Sequence, residues 1–305
     1  MIKFIVSICG IFMFTYSQAC DICGCAASSF SMGLLPNSKH HFIGLRTSYK
    51  SFESRDLHSI SSRATSNENF LTSELYGRYK FAKKFQVLAF IPYVYNQKTD
   101  SVQTLTIKGM GDISLLMNYV FIDNSDSLTK KFKQVGTIGG GLKTPTGQFF
   151  KLGFEEINML PGTGSWDFIF NANYSIQYKA IGIQSESSFT LKTANKNLYQ
   201  FGNSVSNSEL FFYRWVLNSN LKIIPQFGVN FNHNWKDRKN GFLSDDTFNG
   251  GNILNAQINL AILYKNWACT SQFFIPLKQN LNEGYVSQTS SIRLSINYFI
   301  KNKNK

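Results

Sequence analysis

The sequence is poor in charged residues and has few long apolar runs. Only 16% of its 305 residues are charged, whereas soluble proteins contain about a quarter. After the first 19 residues, no apolar run reaches the about 20 residues that a membrane-spanning helix needs. The mean hydropathy is −0.16. These shortages argue against a helical membrane protein and against an ordinary soluble domain.

Motifs of common enzyme classes are also missing. The chain has four histidines and no Gly-x-Ser-x-Gly, P-loop or His-Glu-x-x-His sequence. We therefore predict that the protein is not an enzyme, although a catalytic triad assembled from distant strands would not be visible in the sequence.

Positive charge is plentiful but dispersed. The formal net charge is +13, a balance that raises the question of nucleic acid binding. The lysines form no stripe and fall at predicted turns and in the tail 301–305, as Lys83, Lys84, Lys179, Lys222, Lys265, Lys301, Lys303 and Lys305. This scatter predicts no nucleic acid partner.

Residues 1–19 have the features of a secretory signal peptide. Lys3 precedes the apolar stretch Phe4–Phe14, and small residues follow at the predicted cleavage site after Ala19. The apolar stretch is too short for a spanning helix. A lipoprotein signal that acylates Cys20 is an alternative, but Ser17 stands where such a signal normally has Leu.

A cysteine cluster opens the predicted mature chain. Cys20, Cys23 and Cys25 form a Cys-x-x-Cys-x-Cys run, and three thiols cannot all pair with one another. Thiolates prefer Cu(I) or Zn(II), and His40 and His41 would complete a tetrahedral set. The alternatives are a structural disulfide in an oxidising compartment and attachment of a lipid.

From residue 41 onward, the dominant sequence period is two, which indicates strands. In the segment 223–235, Ile223, Phe227 and Phe231 fall on one face, while Gln226 and Asn230 fall on the other. The polar faces contain Asn, Gln, Ser and Gly rather than charge, and aromatic residues stand near the ends of the apolar faces. This pattern is typical of membrane β-barrels.

Alternation and turn residues place twelve predicted strands, at 41–51, 70–81, 84–96, 111–121, 134–144, 166–178, 181–193, 209–219, 222–234, 253–265, 267–278 and 289–300. Short turns alternate with long polar loops, except at 122–133. Since outer-membrane barrels have short periplasmic turns and long extracellular loops, we predict an all-β, antiparallel transmembrane barrel over 41–300 with a periplasmic segment at 20–40.

Three motifs resemble a known family. They are Gly109–Leu115 (GMGDISL), Gly139–Gly147 (GGGLKTPTG) and Leu160–Asp167 (LPGTGSWD). Together they resemble the bacterial outer-membrane transporter family named for the meta-cleavage pathway of phenol degradation. The resemblance implies a barrel that acts as a channel for small, often hydrophobic molecules. The cysteine run departs from the family pattern and suggests a subgroup with a metal as cargo or partner.

Charged residues on the predicted strands are candidates to line the lumen, because charge that faces lipid is costly. They are Arg46, Glu74, Arg78, Glu186, Arg214 and Arg293. Paired charges would brace the interior, or they would form a constriction that selects solutes. The leading hypothesis is a porin-like passive transporter of small molecules or ions in the outer-membrane bilayer. Alternatives are a copper- or zinc-binding barrel and a structural or adhesive barrel.

The cysteine cluster generates a first prediction. Purified mature protein should bind Cu(I) or Zn(II) under reducing conditions, measured by metal analysis after dialysis, because thiolates are the preferred ligands. A variant with Cys20, Cys23 and Cys25 replaced by Ser should lose the metal. Equal binding by the two proteins would refute a metal site at this cluster.

Overall fold

The fold was analysed in a computed structural model of the chain. The structure describes residues 40–54, 66–100, 103–125, 127, 129–149, 154–243 and 249–300. Over these ranges, no helix is both long and apolar enough to span a membrane.

Strands account for most of the described chain. They are β1 (His41–Ser54), β2 (Ser66–Lys80), β3 (Phe85–Asp100), β4 (Thr104–Met110), β5 (Ser114–Asp123), β6 (Phe132–Lys143), β7 (Asp167–Tyr178), β8 (Ile181–Lys192), β9 (Tyr199–Gln200), β10 (Ser204–Tyr213), β11 (Trp215–Val216), β12 (Leu221–Asn234), β13 (Arg238–Lys239), β14 (Phe242–Leu243), β15 (Gly251–Tyr264), β16 (Trp267–Leu281) and β17 (Val286–Ile300). Short 3-10 helices occur at Phe154–Met159 and Asn282–Gly284.

One antiparallel sheet closes on itself. The first strand β1 pairs with the last, β17, and β10 pairs with β12. The sheet has fourteen pieces, but β4 and β5 both pair with β3 and form one interrupted crossing, and β11 continues β10. Twelve crossings remain. The predicted twelve-stranded antiparallel barrel is confirmed, and it satisfies the backbone hydrogen bonds that lipid cannot.

Several strand boundaries were predicted wrongly. The segments 97–110 and 279–288 were expected to be long loops, but β3 and β4 form a hairpin in the first, and β16 and β17 nearly meet in the second. The strand predicted at 209–219 is β10, which begins at Ser204 and ends at Tyr213. On β4 the outward residues Thr104, Thr106 and Lys108 are polar and the inward Ile107 is apolar, the reverse of the lipid-crossing strands, so this segment did not match the expected pattern.

The predicted alternation of faces is present in the closed barrel. On β15, the outward side chain of Ile258 is 50% exposed, whereas the inward side chain of Gln257 beside it is 1% exposed. Short turns at one end are as predicted: Lys179 and Lys265 begin two-residue connections with φ of 52° and 51°, the left-handed conformation that such hairpins require.

The apolar exterior generates a second prediction. Replacing Ile258 by Arg should destabilise the barrel in lipid vesicles by about 2–4 kcal/mol, because a guanidinium near the bilayer midplane loses its hydration. Urea titration followed by tryptophan fluorescence would measure the change. The same substitution at Thr106, which is exposed on β4 near the long-loop end, should cost less than about 1 kcal/mol. Equal costs at the two positions would contradict a membrane-facing Ile258.

Candidate functional site: the barrel interior

A charged belt crosses the interior from one wall to the other. Arg46 of β1 and Glu74 of β2 are register partners, and their side chains form a buried ion pair. The Arg46 guanidinium also lies over the Tyr76 ring, 5.0 Å from its centroid, and over the Phe90 ring at 5.7 Å. The pair is therefore fixed against an aromatic wall.

Arg293 extends the belt from β17. Its Nε donates to Ser48 Oγ at 3.1 Å and its Nη1 donates to Gln272 Oε1 at 3.2 Å. It also interacts electrostatically with Glu74 and with Glu186, which belong to different strands. Arg46 and Glu74 thus form one group with Arg293, and Glu186 on the facing strand β8 interacts with this group electrostatically.

The two remaining lumen candidates lie nearer the end with short turns. Arg78 Nη2 donates to the His40 carbonyl oxygen at 3.0 Å, and its guanidinium lies over the Phe42 ring at 5.0 Å. Arg214 follows β10, and its backbone N–H donates to Ala180 O at 2.7 Å. Whether any of the six charges acts on a solute stays a prediction.

An amide relay faces the interior from β12 and β15. Gln257 Nε2 donates to Asn259 Oδ1 at 3.1 Å, and Asn259 Nδ2 donates to Gln226 Oε1 at 2.8 Å. The two ends of the relay, Gln257 Oε1 and Gln226 Nε2, have no hydrogen-bond partner among the described residues. Both atoms are buried in this structure, one an unpaired acceptor and the other an unpaired donor.

Further buried amides in the described strands carry atoms without a hydrogen-bond partner, at Gln86, Asn118, Asn171 and Asn297. Leaving such a group unpaired costs about 1–3 kcal/mol. Charge singles out the six lumen candidates in the sequence but misses these amides. Alternation alone was the signal that pointed to these positions.

Apolar side chains line the strands of the opposite wall. They form one buried cluster with the members Phe42, Tyr76, Leu88, Phe90, Leu116, Ile169, Ala268 and Phe299. Most of these residues belong to strands from β17 through β1 to β5, whereas the relay belongs to β12 and β15. Amides also lie on these strands, at Gln86, Asn118 and Asn297, and apolar side chains lie beside the relay, at Ile224 and Ala261, so the interior presents both kinds of surface.

A second apolar cluster closes the end with long loops. Met159 from the connection between β6 and β7 packs inside the barrel, where Asn96 Nδ2 donates to its carbonyl oxygen at 2.9 Å. Its apolar partners come from strands around the wall and are Phe52, Phe70, Ile107, Ile253, Leu281 and Val286. The segment around Met159 therefore turns inward and narrows this mouth.

The three resemblance motifs converge on one buried ion-pair network. Lys143 Nζ lies 2.6 Å from Asp167 Oδ2 and 3.4 Å from Asp112 Oδ2. Thr163 donates to Asp112 Oδ2 through its backbone N–H at 2.8 Å and its hydroxyl at 2.7 Å. The three motifs thus join the ends of the inward-turning connection to the strands.

Neighbouring loops at the same end of the barrel are hydrogen-bonded to one another. The hydroxyl of Tyr199 and the backbone N–H of Gly202 both donate to the Asp237 carboxylate. Burial raises the pKa of Asp237, whereas these two hydrogen bonds lower it, and the net shift is upward. Tyr199 also packs on Leu160, so the loops support one another above the mouth.

The predicted metal ligands are only partly described. Cys20, Cys23 and Cys25 lie outside the described residues. His40 is exposed, and His41 Nδ1 accepts from the Lys80 backbone N–H at 3.0 Å while its ring stacks on Tyr79. Within the described ranges, no group of three or more His, Cys, Asp or Glu side chains is placed to hold a metal ion. The metal site stays a prediction.

The closed barrel and its apolar exterior define the class: the protein is a transmembrane β-barrel of the bacterial outer membrane. Its fold is similar to that of an outer-membrane channel from Pseudomonas putida F1, with a TM-score of 0.64 and 12% identity over 86% of this chain and 96% of the channel. The translocator domain of the autotransporter NalP from Neisseria meningitidis aligns with a TM-score of 0.47 and 9% identity over 88% and 91% of the two chains. No protein-family model and no curated protein sequence matches the chain.

The buried network generates a third prediction. Replacing Lys143 by Met leaves the carboxylates of Asp112 and Asp167 buried without their cation, which should destabilise the barrel by roughly 3–5 kcal/mol. Urea unfolding in vesicles would measure the loss. The matched control is Lys108→Met, because Lys108 is exposed on β4, and it should change stability little. A Lys143 variant as stable as the control would contradict an anchoring role.

Proposed function

We propose that this barrel is a narrow channel that passes small polar solutes across the outer membrane. The observation that carries the proposal is the amide-rich inward wall, with free hydrogen-bonding atoms inside a closed barrel. The fold similarity to an outer-membrane channel supports transport in general but says nothing about the solute.

The chemistry of the wall favours neutral solutes with hydroxyl or amide groups. Both unpaired atoms are buried in this structure, so a solute reaches the acceptor of Gln257 and the donor of Gln226 when the interior opens to admit it. A carboxylate solute accepts only, and an ammonium solute donates only, so neither satisfies both ends of the relay. A hydroxyl does both. The apolar wall around Phe90 would contact the carbon skeleton of such a solute.

The same interior disfavours the hydrophobic cargo that the family resemblance implies. Moving an apolar molecule past the relay would leave Gln226 and Gln257 unpaired, whereas a polyol would satisfy them. Small sugars and polyols are therefore the proposed cargo.

Passage requires the mouth to open, because Met159 and its apolar neighbours occupy it. Met159 is held there by the hydrogen bond from Asn96 Nδ2 to its carbonyl oxygen, so this bond has to break when the mouth opens. The proposal therefore predicts slow, size-limited flux rather than the large conductance of a wide porin.

A fourth prediction tests the solute class. In liposome-swelling assays, the mature protein should admit glycerol, arabitol and glucose faster than gluconate. The double substitution Gln226→Met and Gln257→Met should slow arabitol entry about fivefold, which corresponds to about 1 kcal/mol of lost hydrogen bonding. The control Ile258→Met alters the outward face of the same strand and should leave the rate unchanged.

Two results would contradict the proposed function. Faster entry of gluconate than of arabitol would show that the belt, not the relay, selects the solute. Vesicles that admit no solute of any size, with no conductance in a planar bilayer, would mean that the barrel is sealed and would favour the structural or adhesive role.

A further inference from the structure

The lipid-facing wall has a polar patch between β8 and β10. Outward side chains on β8 are apolar at Ile183 and again at Phe189, but Ser185 and Ser187 stand between them. On the adjacent strand, Glu209 and Asn207 are outward because Leu210 and Ser208 are buried inside. We name Ser185, Ser187, Asn207 and Glu209 the outer patch.

The outer patch is surrounded by the apolar side chains of the barrel exterior and does not lie at their edge. Its register partners on the flanking strand β7 are Tyr174, opposite Ser185, and Ala172, opposite Ser187. On β12 the partners are Val229, opposite Glu209, and Phe231, opposite Asn207. All four flanking side chains belong to the outward, apolar face.

Hydrogen bonds within the outer patch leave part of it unsatisfied. Ser185 Oγ donates to Glu209 Oε1 at 2.7 Å, and Asn207 Nδ2 donates to Ser187 Oγ at 2.9 Å and to Glu209 Oε1 at 3.3 Å. Both bonds to the carboxylate end on the same oxygen. No described residue donates to Glu209 Oε2, which remains on the outer surface.

Lipid chains cannot bind this oxygen. Ionisable residues at membrane depth are expensive, and they normally face protein or a water-filled cavity rather than lipid. Closed barrels leave no free strand edge, so a second barrel can contact this wall only through its outward side chains. Glu209 is thus in the position expected of a residue covered by protein.

We propose that the outer patch binds the same patch of a second copy of this chain, which gives a side-by-side dimer. In a two-fold interface, each surface must complement itself. The hydrogens of Ser185 and Asn207 are used within one copy, whereas the Ser187 hydroxyl accepts from Asn207 and keeps its own hydrogen. Across the two-fold axis, Ser187 of each copy can therefore donate to Glu209 Oε2 of the other. The nearby outward rings of Phe211 and Phe227, which stack at 5.7 Å between centroids, would form the apolar rim.

The fifth prediction concerns proximity in native membranes. In a background with Cys20, Cys23, Cys25 and Cys269 replaced by Ser, the substitution Ser187→Cys should yield a disulfide-linked species of twice the chain mass on mild oxidation. The matched control is Ser271→Cys, an outward serine on β16 in another part of the wall, which should stay monomeric. Equal cross-linking of both variants, no cross-linking of either, or a linked mass other than twice the chain would overturn the proposal.

A second variant separates association from folding. Glu209→Leu removes the carboxylate but suits lipid better, so the barrel should keep its fold, seen as heat-modifiable migration on a gel, while light scattering in mild detergent changes from dimer to monomer. A folded Glu209→Leu protein that stays dimeric would refute the role of the patch. Solute flux is measured separately, so this proposal can fail while the channel function holds.

Discussion

Every backbone N–H and C=O that crosses the lipid must find its partner within the protein, because the hydrocarbon offers none. In this chain, the first strand β1 pairs with the last strand β17, although the two are far apart in sequence. This pairing closes the sheet and so meets the requirement. Closure then gives each strand one lipid-facing side and one interior side. The alternation of Ile258 with Gln257, the amide wall and the charged belt are all consequences of that closure.

The interior combines two kinds of surface that would conflict in a soluble core. Aromatic and aliphatic side chains around Phe90 pack against Arg46, whose charge is balanced by Glu74. Amides such as Gln226 and Gln257 have buried hydrogen-bonding atoms without a partner among the described residues. A surface with both properties suits a solute that has hydroxyl groups on a carbon skeleton, which is the basis of the proposed cargo.

The inward-turning connection between β6 and β7 affects both the architecture of the barrel and its proposed permeability. Its ends are held by Lys143 between Asp112 and Asp167, and its middle places Met159 in the mouth. The glycines of these motifs matter for close approach: a Cβ at Gly147 would lie 2.7 Å from Asp112 Oδ1. The motifs that mark the resemblance therefore serve the rim of the barrel rather than a solute site.

The sequence by itself determined the fold class, the number of crossings and the face of most strand residues, because a period of two and turn residues are local properties. It also selected Arg46, Glu74, Glu186 and Arg293 by their charge. Only the tertiary structure decided that these four interact and that Lys143 lies between two distant aspartates. Those facts depend on contacts between residues far apart in the chain, and closure of the barrel creates such contacts without leaving a local pattern.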